Sequence, residues 1–201
     1  MLYLVRHGLA AAGVADLDPG LDAVGHQQAK VTAETLSQPS VTRLIVSPLR
    51  RTRETAAPMA ELLGLAPEIR AEVAEVFDPS MPVADRTSMI GPFMAGRWSD
   101  QTSVLRAWRQ LVVDTLHAFG LASAAKEEDV VVVTHYIAIG VAVGEAMGDD
   151  RVVPVPIANC SITAIEIDAI HGGLRVASAA SIAHLPAELV TGLRQALPGG
   201  P

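Results

Sequence analysis

Short apolar runs alternate with longer stretches of helical periodicity along this chain of 201 residues. Continuous runs of valine, isoleucine and leucine are typical of strands that are buried on both faces of a sheet. Between these runs, apolar positions recur at the spacing of amphipathic helices. The pattern predicts five strands, at Met1–Val5, Val41–Val46, Val130–Val133, Ser161–Ile167 and Leu174–Ala179.

The helical stretches lie between and after these strands. Ser47 is a typical N-cap residue, and Pro48 suits the first helical position because its missing N–H has no partner there. The regular alternation of strands and helices predicts an α/β fold, a three-layer sandwich whose mostly parallel central sheet has helices on both faces. The predicted helices are Asp22–Ser37, Ser47–Leu63, Arg106–Ala125, Tyr136–Met147 and Pro186–Ala196.

One segment interrupts the alternation. Residues 77–100 contain three prolines and two glycines and show no clear periodicity. We interpret this segment as a flap over the carboxyl edge of the sheet, inserted in a single domain that spans residues 1–201. The segment contains two arginines, Arg86 and Arg97, which could bind a second anionic group. More commonly, such residues are solvated or structural arginines.

Composition narrows the functional classes. With 22 acidic residues against 15 lysines and arginines, the net charge of −7 argues against general nucleic-acid binding. Cys160 is the single cysteine, which excludes an intrachain disulfide. The apolar run Val130–Val143 contains His135 and is too short to span a bilayer, and no secretory leader is evident. We therefore expect a soluble cytoplasmic protein without membrane or nucleic-acid partners, and a homodimer is compatible with the sequence.

Basic side chains follow three of the predicted strands. Arg6 and His7 follow the first strand, Arg51 follows the second, and His135 comes directly after the third. Because the carboxyl ends of parallel strands meet at one edge of a sheet, we expect these four side chains to surround one pocket. A guanidinium group suits phosphate, and an imidazole can act as a base, a metal ligand or a nucleophile. A strongly positive pocket in an acidic protein is typical of a site for a phosphoryl group.

These segments resemble the signatures of the histidine phosphatase superfamily, the phosphoglycerate mutase-like group. The resemblance covers most of the chain, with its motifs in the family's order, and it implies the phosphoglycerate mutase-like fold. The resembling stretches are LVRHG at 4–8, LDAVGHQQA at 21–29, SPLRRTRETA at 47–56, AEVAEVF at 71–77, VVVTHY at 131–136 and Asn159-Cys160-Ser161.

The resemblance implies how the four basic side chains would act. His7 would attack phosphorus as a neutral imidazole and carry the phosphoryl group as a phosphohistidine. Arg6, Arg51 and His135 would neutralise the phosphate oxygens, as a Mg²⁺ ion does in other phosphoryl transfer enzymes. We therefore expect neither a metal ion nor another cofactor.

Further roles follow from the same resemblance. The acid/base carboxylate falls on Glu75, with Glu72 as the near alternative. Gly8 and Tyr136 would contact substrate, Gly8 because it lets the backbone approach a ligand closely. Leu9-Ala10 stands where many family members carry an acidic or amide residue followed by a hydroxyl, so the identity of the substrate stays open.

Three kinds of function are compatible with these residues. The leading hypothesis is a metal-independent phosphomonoester phosphatase that acts on a small phosphorylated metabolite, with a protein phosphohistidine phosphatase as an option in the same class. The second is a cofactor-dependent phosphotransferase of the phosphoglycerate mutase type, which needs a site closed to water. The third is a weakly catalytic module that binds a phosphorylated ligand.

Overall fold

The computed structural model describes residues 1–11, 16–77, 81 and 83–193. Within them, six strands form one sheet in the order β3-β2-β4-β1-β5-β6. The four strands β1 to β4 are mutually parallel where they pair, whereas β5 is antiparallel to both of its neighbours. The sheet is therefore mixed but mostly parallel, as predicted. The strands are β1 Leu2–Arg6, β2 Val41–Val46, β3 Glu68–Ile69, β4 Asp129–Thr134, β5 Ile162–Ile167 and β6 Leu174–Ser181.

Helices cover both faces of this sheet. In β4, Val131 and Val133 pack in one core with residues of the helices at 23–36 and 50–63. Val130 and Val132 pack in a second core with residues of the helices at 103–126 and 136–147. This alternation follows from the two-residue period of a strand that is buried on both faces. The three-layer α/β sandwich is thus confirmed. The helices are α1 Ala23–Leu36, α2 Arg50–Leu63, α3 Val83–Ala95, α4 Ser103–Lys126 and α5 Tyr136–Met147.

The start of α2 differs from the prediction. The helix begins at Arg50, and Leu49 occupies the N-cap position with an extended backbone and no capping side chain. The Ser47 hydroxyl lies instead 2.7 Å from the Nε2 atom of His135, in the buried interior. The predicted N-cap was wrong because this hydroxyl contacts His135 and accepts from the Leu49 amide at 3.4 Å, one residue before the helix begins.

The segment predicted as a flap contains a regular helix. Helix α3 fills much of residues 77–100, with Pro92 inside it. Phe93 packs edge-on against Phe77 and Trp98, with ring centroids 5.1 and 5.6 Å away. These aromatic contacts attach the segment to the core on the α4–α5 face. The proline and glycine content concealed the helix in the sequence.

The last predicted helix was wrong in its described part. A three-residue turn at Ala187–Leu189 replaces it, and the chain then continues without helix through Leu193. The Leu189 carbonyl accepts a hydrogen bond from Gln28, and the Thr191 carbonyl accepts one from the Asn159 amide. These carbonyls are therefore committed to other segments rather than to a helix. The end of that predicted helix and the tail predicted after it, residues 194–201, lie outside the described residues.

None of the helices in the described part of the chain combines the length and the apolar character that a bilayer span requires.

Candidate active site

The carboxyl ends of the parallel strands bring together the side chains that the sequence predicted. The His7 amide donates to the Thr134 carbonyl at 3.0 Å, and the Ser47 amide donates to the Val133 carbonyl at 3.1 Å, so β1, β2 and β4 end side by side. The polar residues after these strands, together with the loop after β3, meet at this edge. We call this group the strand-end cluster, and its members are Arg6, His7, Arg51, Glu75 and His135.

His7 is held in one tautomer. Its Nδ1 atom lies 2.8 Å from the Gly8 carbonyl oxygen. A carbonyl only accepts hydrogen bonds, so Nδ1 carries the proton and Nε2 keeps its lone pair. Burial, followed by the charges of Arg6 and Arg51, holds the pKa of His7 well below its ordinary value. His7 is therefore a neutral imidazole whose Nε2 atom carries the lone pair.

His135 is also neutral, with the opposite assignment of its ring nitrogens. Its Nδ1 atom lies 3.3 Å from Nη2 of Arg51, which can only donate, so Nδ1 accepts and Nε2 donates to the Ser47 hydroxyl. Burial, then the neighbouring His7 and Arg51, lowers the pKa of His135 well below its ordinary value. The two imidazole rings are 5.3 Å apart, between their centroids.

Arg6 supplies a buried positive charge beside His7. Its Nη1 donates to the Ile157 carbonyl at 2.6 Å, and its guanidinium carbon lies 4.9 Å above the centre of the Tyr136 ring. Burial lowers the pKa of Arg6 to about 10, which keeps the group charged at neutral pH. Tyr136 is buried, and its hydroxyl donates to the Val155 carbonyl. Tyr136 thus supports Arg6, while its contact with substrate stays a prediction.

The structure separates the two candidate carboxylates. Glu75 has its Oε2 atom 3.7 Å from Nδ1 of His135 and 4.0 Å from Nη2 of Arg51. Glu72 instead forms an ion pair with Arg70 at 2.8 Å, and hydrogen bonding from that guanidinium lowers the pKa of Glu72. Glu75 is therefore the carboxylate that belongs to the strand-end cluster.

Gly8 has a packing reason for its missing side chain. A Cβ atom at Gly8 would lie 2.7 Å from the Gly25 carbonyl oxygen, in the first turns of α1. The Gly8 amide donates to the hydroxyl of Thr55 on α2 at 3.0 Å. The close approach is therefore to helix α1, and a substrate contact at Gly8 stays a prediction.

Arg97 lies away from the cluster. It forms an isolated β-bridge with Arg151, and the neighbouring Trp98 amide donates to the Asp150 carbonyl at 2.9 Å. Asp150 and Arg151 follow the far end of α5. This helix begins next to His135, and its 12 residues span about 18 Å. The structure thus does not bring Arg97 to the strand-end cluster. The side chain of Arg86 lies outside the described part of the chain.

Comparison with known proteins agrees with this geometry. The model of the histidine phosphatase superfamily (branch 1) matches residues 2–179. The chain belongs to this superfamily. Within the described residues, no group of three or more histidine, cysteine or acidic side chains is arranged to hold a metal ion. The family match thus places the chain among the histidine phosphatases.

Solved structures share the fold of this histidine phosphatase. A phosphoserine phosphatase from Entamoeba histolytica, solved with 3-phosphoglyceric acid, has a TM-score of 0.70 and 20% identity, over 92% of this chain and 98% of that chain. A mycobacterial glucosyl-3-phosphoglycerate phosphatase, solved with inorganic phosphate, has a TM-score of 0.67 and 20% identity, over 92% of this chain and 99% of that chain.

A curated relative matches part of the histidine phosphatase at higher identity. The PE-PGRS family protein PE_PGRS11 of Mycobacterium tuberculosis is 34% identical over 105 residues, which are 46% of this chain and 18% of that protein. The matched region thus spans less than a fifth of the length of that relative.

A hydrogen-bonded ring in this histidine phosphatase holds the segment that carries His7. The Gln28 amide accepts from the Leu9 N–H at 2.8 Å and donates to the Thr191 hydroxyl at 2.8 Å. Thr191 donates to Oδ1 of Asn159 at 3.1 Å, and Nδ2 of Asn159 donates to the His7 carbonyl at 3.0 Å. We call this closed path the Gln28 ring. It ties residues 7–9 to the segment that follows the Ala187–Leu189 turn.

The Gln28 ring could be predicted only in part from the sequence. Gln28 and Asn159 belong to stretches that resemble the family, but their partners could not be assigned from that resemblance. Gln28 is fully buried on the face of α1 that also carries Ala29 and Leu36, and a polar residue on such a face is the available signal. Nothing in the sequence identified Thr191.

A cleft of about 650 Å³ opens beside Arg6 and His7 in this histidine phosphatase. It lies between the residues that follow Gly8 and the segment at 190–193. A pocket of this size is typical of sites for small molecules. The residues that line it are Arg6, His7, Leu9, Ala10, Asn159, Val190, Thr191, Gly192 and Leu193.

Proposed function

We propose that this protein is a metal-independent phosphomonoester phosphatase that acts through a phosphorylated His7. The observation that carries the proposal is the commitment of His7 Nδ1 to the Gly8 carbonyl, which leaves Nε2 as the nucleophile. The guanidinium groups of Arg6 and Arg51, in the same strand-end cluster, supply positive charge for the phosphate oxygens. Phosphoryl transfer depends mainly on positioning and charge neutralisation, so these groups suffice without a metal ion.

The reaction takes place in two steps. In the first, Nε2 of His7 forms a bond to phosphorus, the bond from phosphorus to the alcohol oxygen breaks, and Glu75 gives its proton to that oxygen. In the second, water attacks the phosphohistidine, Glu75 takes a proton from the water, and inorganic phosphate leaves His7. The covalent intermediate divides one difficult transfer into two easier ones.

His135 responds to the arrival of the phosphate. In the free enzyme, burial and its cationic neighbours keep it neutral, and its Nδ1 accepts from Arg51. A phosphate dianion placed among Arg6, Arg51 and His135 offsets the positive charges of the two guanidinium groups and favours a protonated imidazole. A protonated His135 then donates to a phosphate oxygen.

The presence of Glu75 in the cluster favours a catalytic function over simple binding of a phosphorylated ligand. A carboxylate 4.0 Å from Arg51 repels a bound phosphate, and a module that only binds phosphate has no use for it. The same carboxylate is required where a leaving oxygen must be protonated. We therefore prefer an enzyme to a binding module.

Small phosphorylated metabolites are the proposed substrates. The similar structures are named as phosphatases of phosphoserine and of glucosyl-3-phosphoglycerate, which are small-molecule phosphate esters. A mutase reaction would use the same residues, and it is distinguished by its product, an isomerised phosphoglycerate in place of released phosphate.

The decisive experiment compares the wild type with His7→Ala on an aryl phosphate in the presence of EDTA. We expect turnover in the wild type and none above background in His7→Ala. Acid-labile phosphate label is expected on the wild type alone. The matched control is His171→Ala, since His171 lies on the exposed turn between β5 and β6. Undiminished turnover by His7→Ala overturns the proposal.

A further inference from the structure

Apolar side chains form both walls of the cleft beside the nucleophile. Leu9 and Ala10 form one wall, and Val190 and Leu193 form the other. All four are at least partly exposed, and Leu193 retains 40% of its accessible surface. Partly exposed apolar groups that face each other across a cleft favour an apolar occupant, because the occupant removes their surfaces from water.

Among the described lining residues, a permanent charge reaches the cleft at one place, beside His7. Of the described residues that line it, Arg6 alone carries a permanent charge, and Arg6 already belongs to the strand-end cluster. Thr191 and Asn159 are polar, but both are engaged in the Gln28 ring. A carboxylate or a sugar in this cleft would lose hydration and, among the described lining residues, would gain no charged partner other than Arg6.

The walls of the cleft are held in place. The Gln28 ring fixes Leu9 on one side and Thr191 on the other. A Cβ atom at Gly192 would lie 2.5 Å from Oδ1 of Asn159 and 2.7 Å from Nη1 of Arg6, so the backbone of this wall approaches Arg6 as closely as a glycine allows. A preformed pocket binds without the cost of ordering its walls.

We propose that this cleft is the subsite for the alcohol portion of the substrate and that it takes an uncharged, apolar group, such as an alkyl or aryl chain. The inference rests on the proposed phosphatase function and specifies its substrate class. It distinguishes this enzyme from the phosphatases to which it is similar, whose named substrates carry carboxylates or sugars.

A homologous series of alkyl phosphates tests the subsite by turnover. Ethyl, butyl and hexyl phosphate have leaving oxygens of similar basicity and differ in apolar length. We expect kcat/KM to rise about two- to fourfold for each added methylene, and therefore at least about tenfold from ethyl to hexyl phosphate. Hexyl phosphate should also exceed phosphoserine. A flat series, or a preference for phosphoserine, overturns the subsite and leaves the phosphatase function standing.

Binding measurements separate the subsite from the chemistry. Calorimetric titration of the wild type with ethyl-, butyl- and hexylphosphonate, which cannot be hydrolysed, should give the same trend in affinity. Affinity that rises with length in a protein that hydrolyses no ester supports the subsite and overturns the proposed function. Equal affinities for the three phosphonates overturn the subsite.

Variants of the walls assign the effect to this cleft. Leu9→Ala and Val190→Ala should each reduce the gain from ethyl to hexyl phosphate at least about threefold, because each removes apolar surface from one wall. The matched control is Ile170→Ala, which removes an apolar side chain that is 86% exposed on the turn between β5 and β6. The control should keep the full dependence of kcat/KM on chain length. If the wall variants also keep it, the assignment of the effect to this cleft is wrong.

Discussion

The strand-end cluster and the cleft meet at Arg6 and His7, and they are built in different ways. The cluster stands at the ends of paired strands, where His7 and Ser47 continue the hydrogen bonding of the sheet. The cleft is bounded by irregular segments, the residues after Gly8 and those at 190–193. The backbone of the cluster is thus set by the sheet, whereas the walls of the cleft depend on the side chains of the Gln28 ring.

Because of this difference, we expect the cluster to determine the rate of reaction and the cleft to determine which esters react fastest. A change in the cluster should slow the reaction of every phosphate ester, because each ester presents the same phosphoryl group. A change in the walls of the cleft should alter the ranking of esters and leave the chemistry intact. Variants of the Gln28 ring, which connects the two regions, should fall between these extremes.

After His7→Ala, the largest effect is expected for Glu75→Gln, in the cluster. Loss of the acid/base group should lower kcat by about two to four powers of ten for alkyl phosphates. The loss should be smaller for nitrophenyl phosphate, whose leaving group needs no proton. The increase of kcat/KM with alkyl chain length should persist. Steady-state kinetics on both kinds of ester measure these effects.

Glu72→Gln is the matched control for this variant. Glu72 lies three residues earlier and is paired with Arg70. Its replacement should leave kcat within about twofold, because an exposed ion pair contributes little. Equal losses in the two variants would contradict the assignment of Glu75.

An intermediate effect is expected for Gln28→Met, in the ring. This change leaves the Leu9 amide without its acceptor and the Leu189 carbonyl without its donor. We expect kcat/KM to fall about tenfold for all esters and the free energy of unfolding to fall by about 1–3 kcal/mol. Kinetics at a temperature where the variant is fully folded, together with urea unfolding, measure the two quantities.

Thr32→Val is the control for the ring. Thr32 is buried one turn further along α1, where its hydroxyl contacts the Gln28 carbonyl and His184 rather than the residues after His7. Its replacement should lower stability without lowering kcat/KM. If stability and activity decline together in both variants, the ring has only a structural role.

The last effect concerns stability rather than rate, and it involves the two buried imidazoles of the cluster. The pKa values of His7 and His135 are lowered in the folded state, so the unfolded chain binds more protons once the pH falls below about 6.5. The free energy of unfolding should therefore be independent of these groups above that pH and decrease below it. The slope approaches about 1.4 kcal/mol per pH unit for each histidine.

Urea unfolding at pH 7.5, 6.5 and 5.5 measures this decrease. His135→Asn should show a shallower decrease than the wild type over the acidic interval, because one of the two groups is absent. Identical pH dependence in the two proteins would mean that His135 does not titrate differently in the folded and unfolded states.

Much of the fold could be predicted from the chain because its signals are local. The apolar run that became β4 and the helix Tyr136–Met147 follow from periodicity alone. The three basic segments follow strand ends, and the parallel order then brings Arg6, His7, Arg51 and His135 together. The boundary at Ser47 and the helix predicted after Pro186 were wrong, because in both places partners distant in sequence outcompete the local preference.

By itself, the sequence determined the layers of the sandwich, the edge of the sheet that carries the chemistry, and the four basic side chains that meet there. Periodicity and strand order suffice for these, since both act through the backbone. Only the tertiary structure chose Glu75 over Glu72, assigned the tautomers of the two histidines, and assembled the Gln28 ring with Thr191. These depend on distances of about 3–4 Å between side chains from separate segments, which no local pattern encodes.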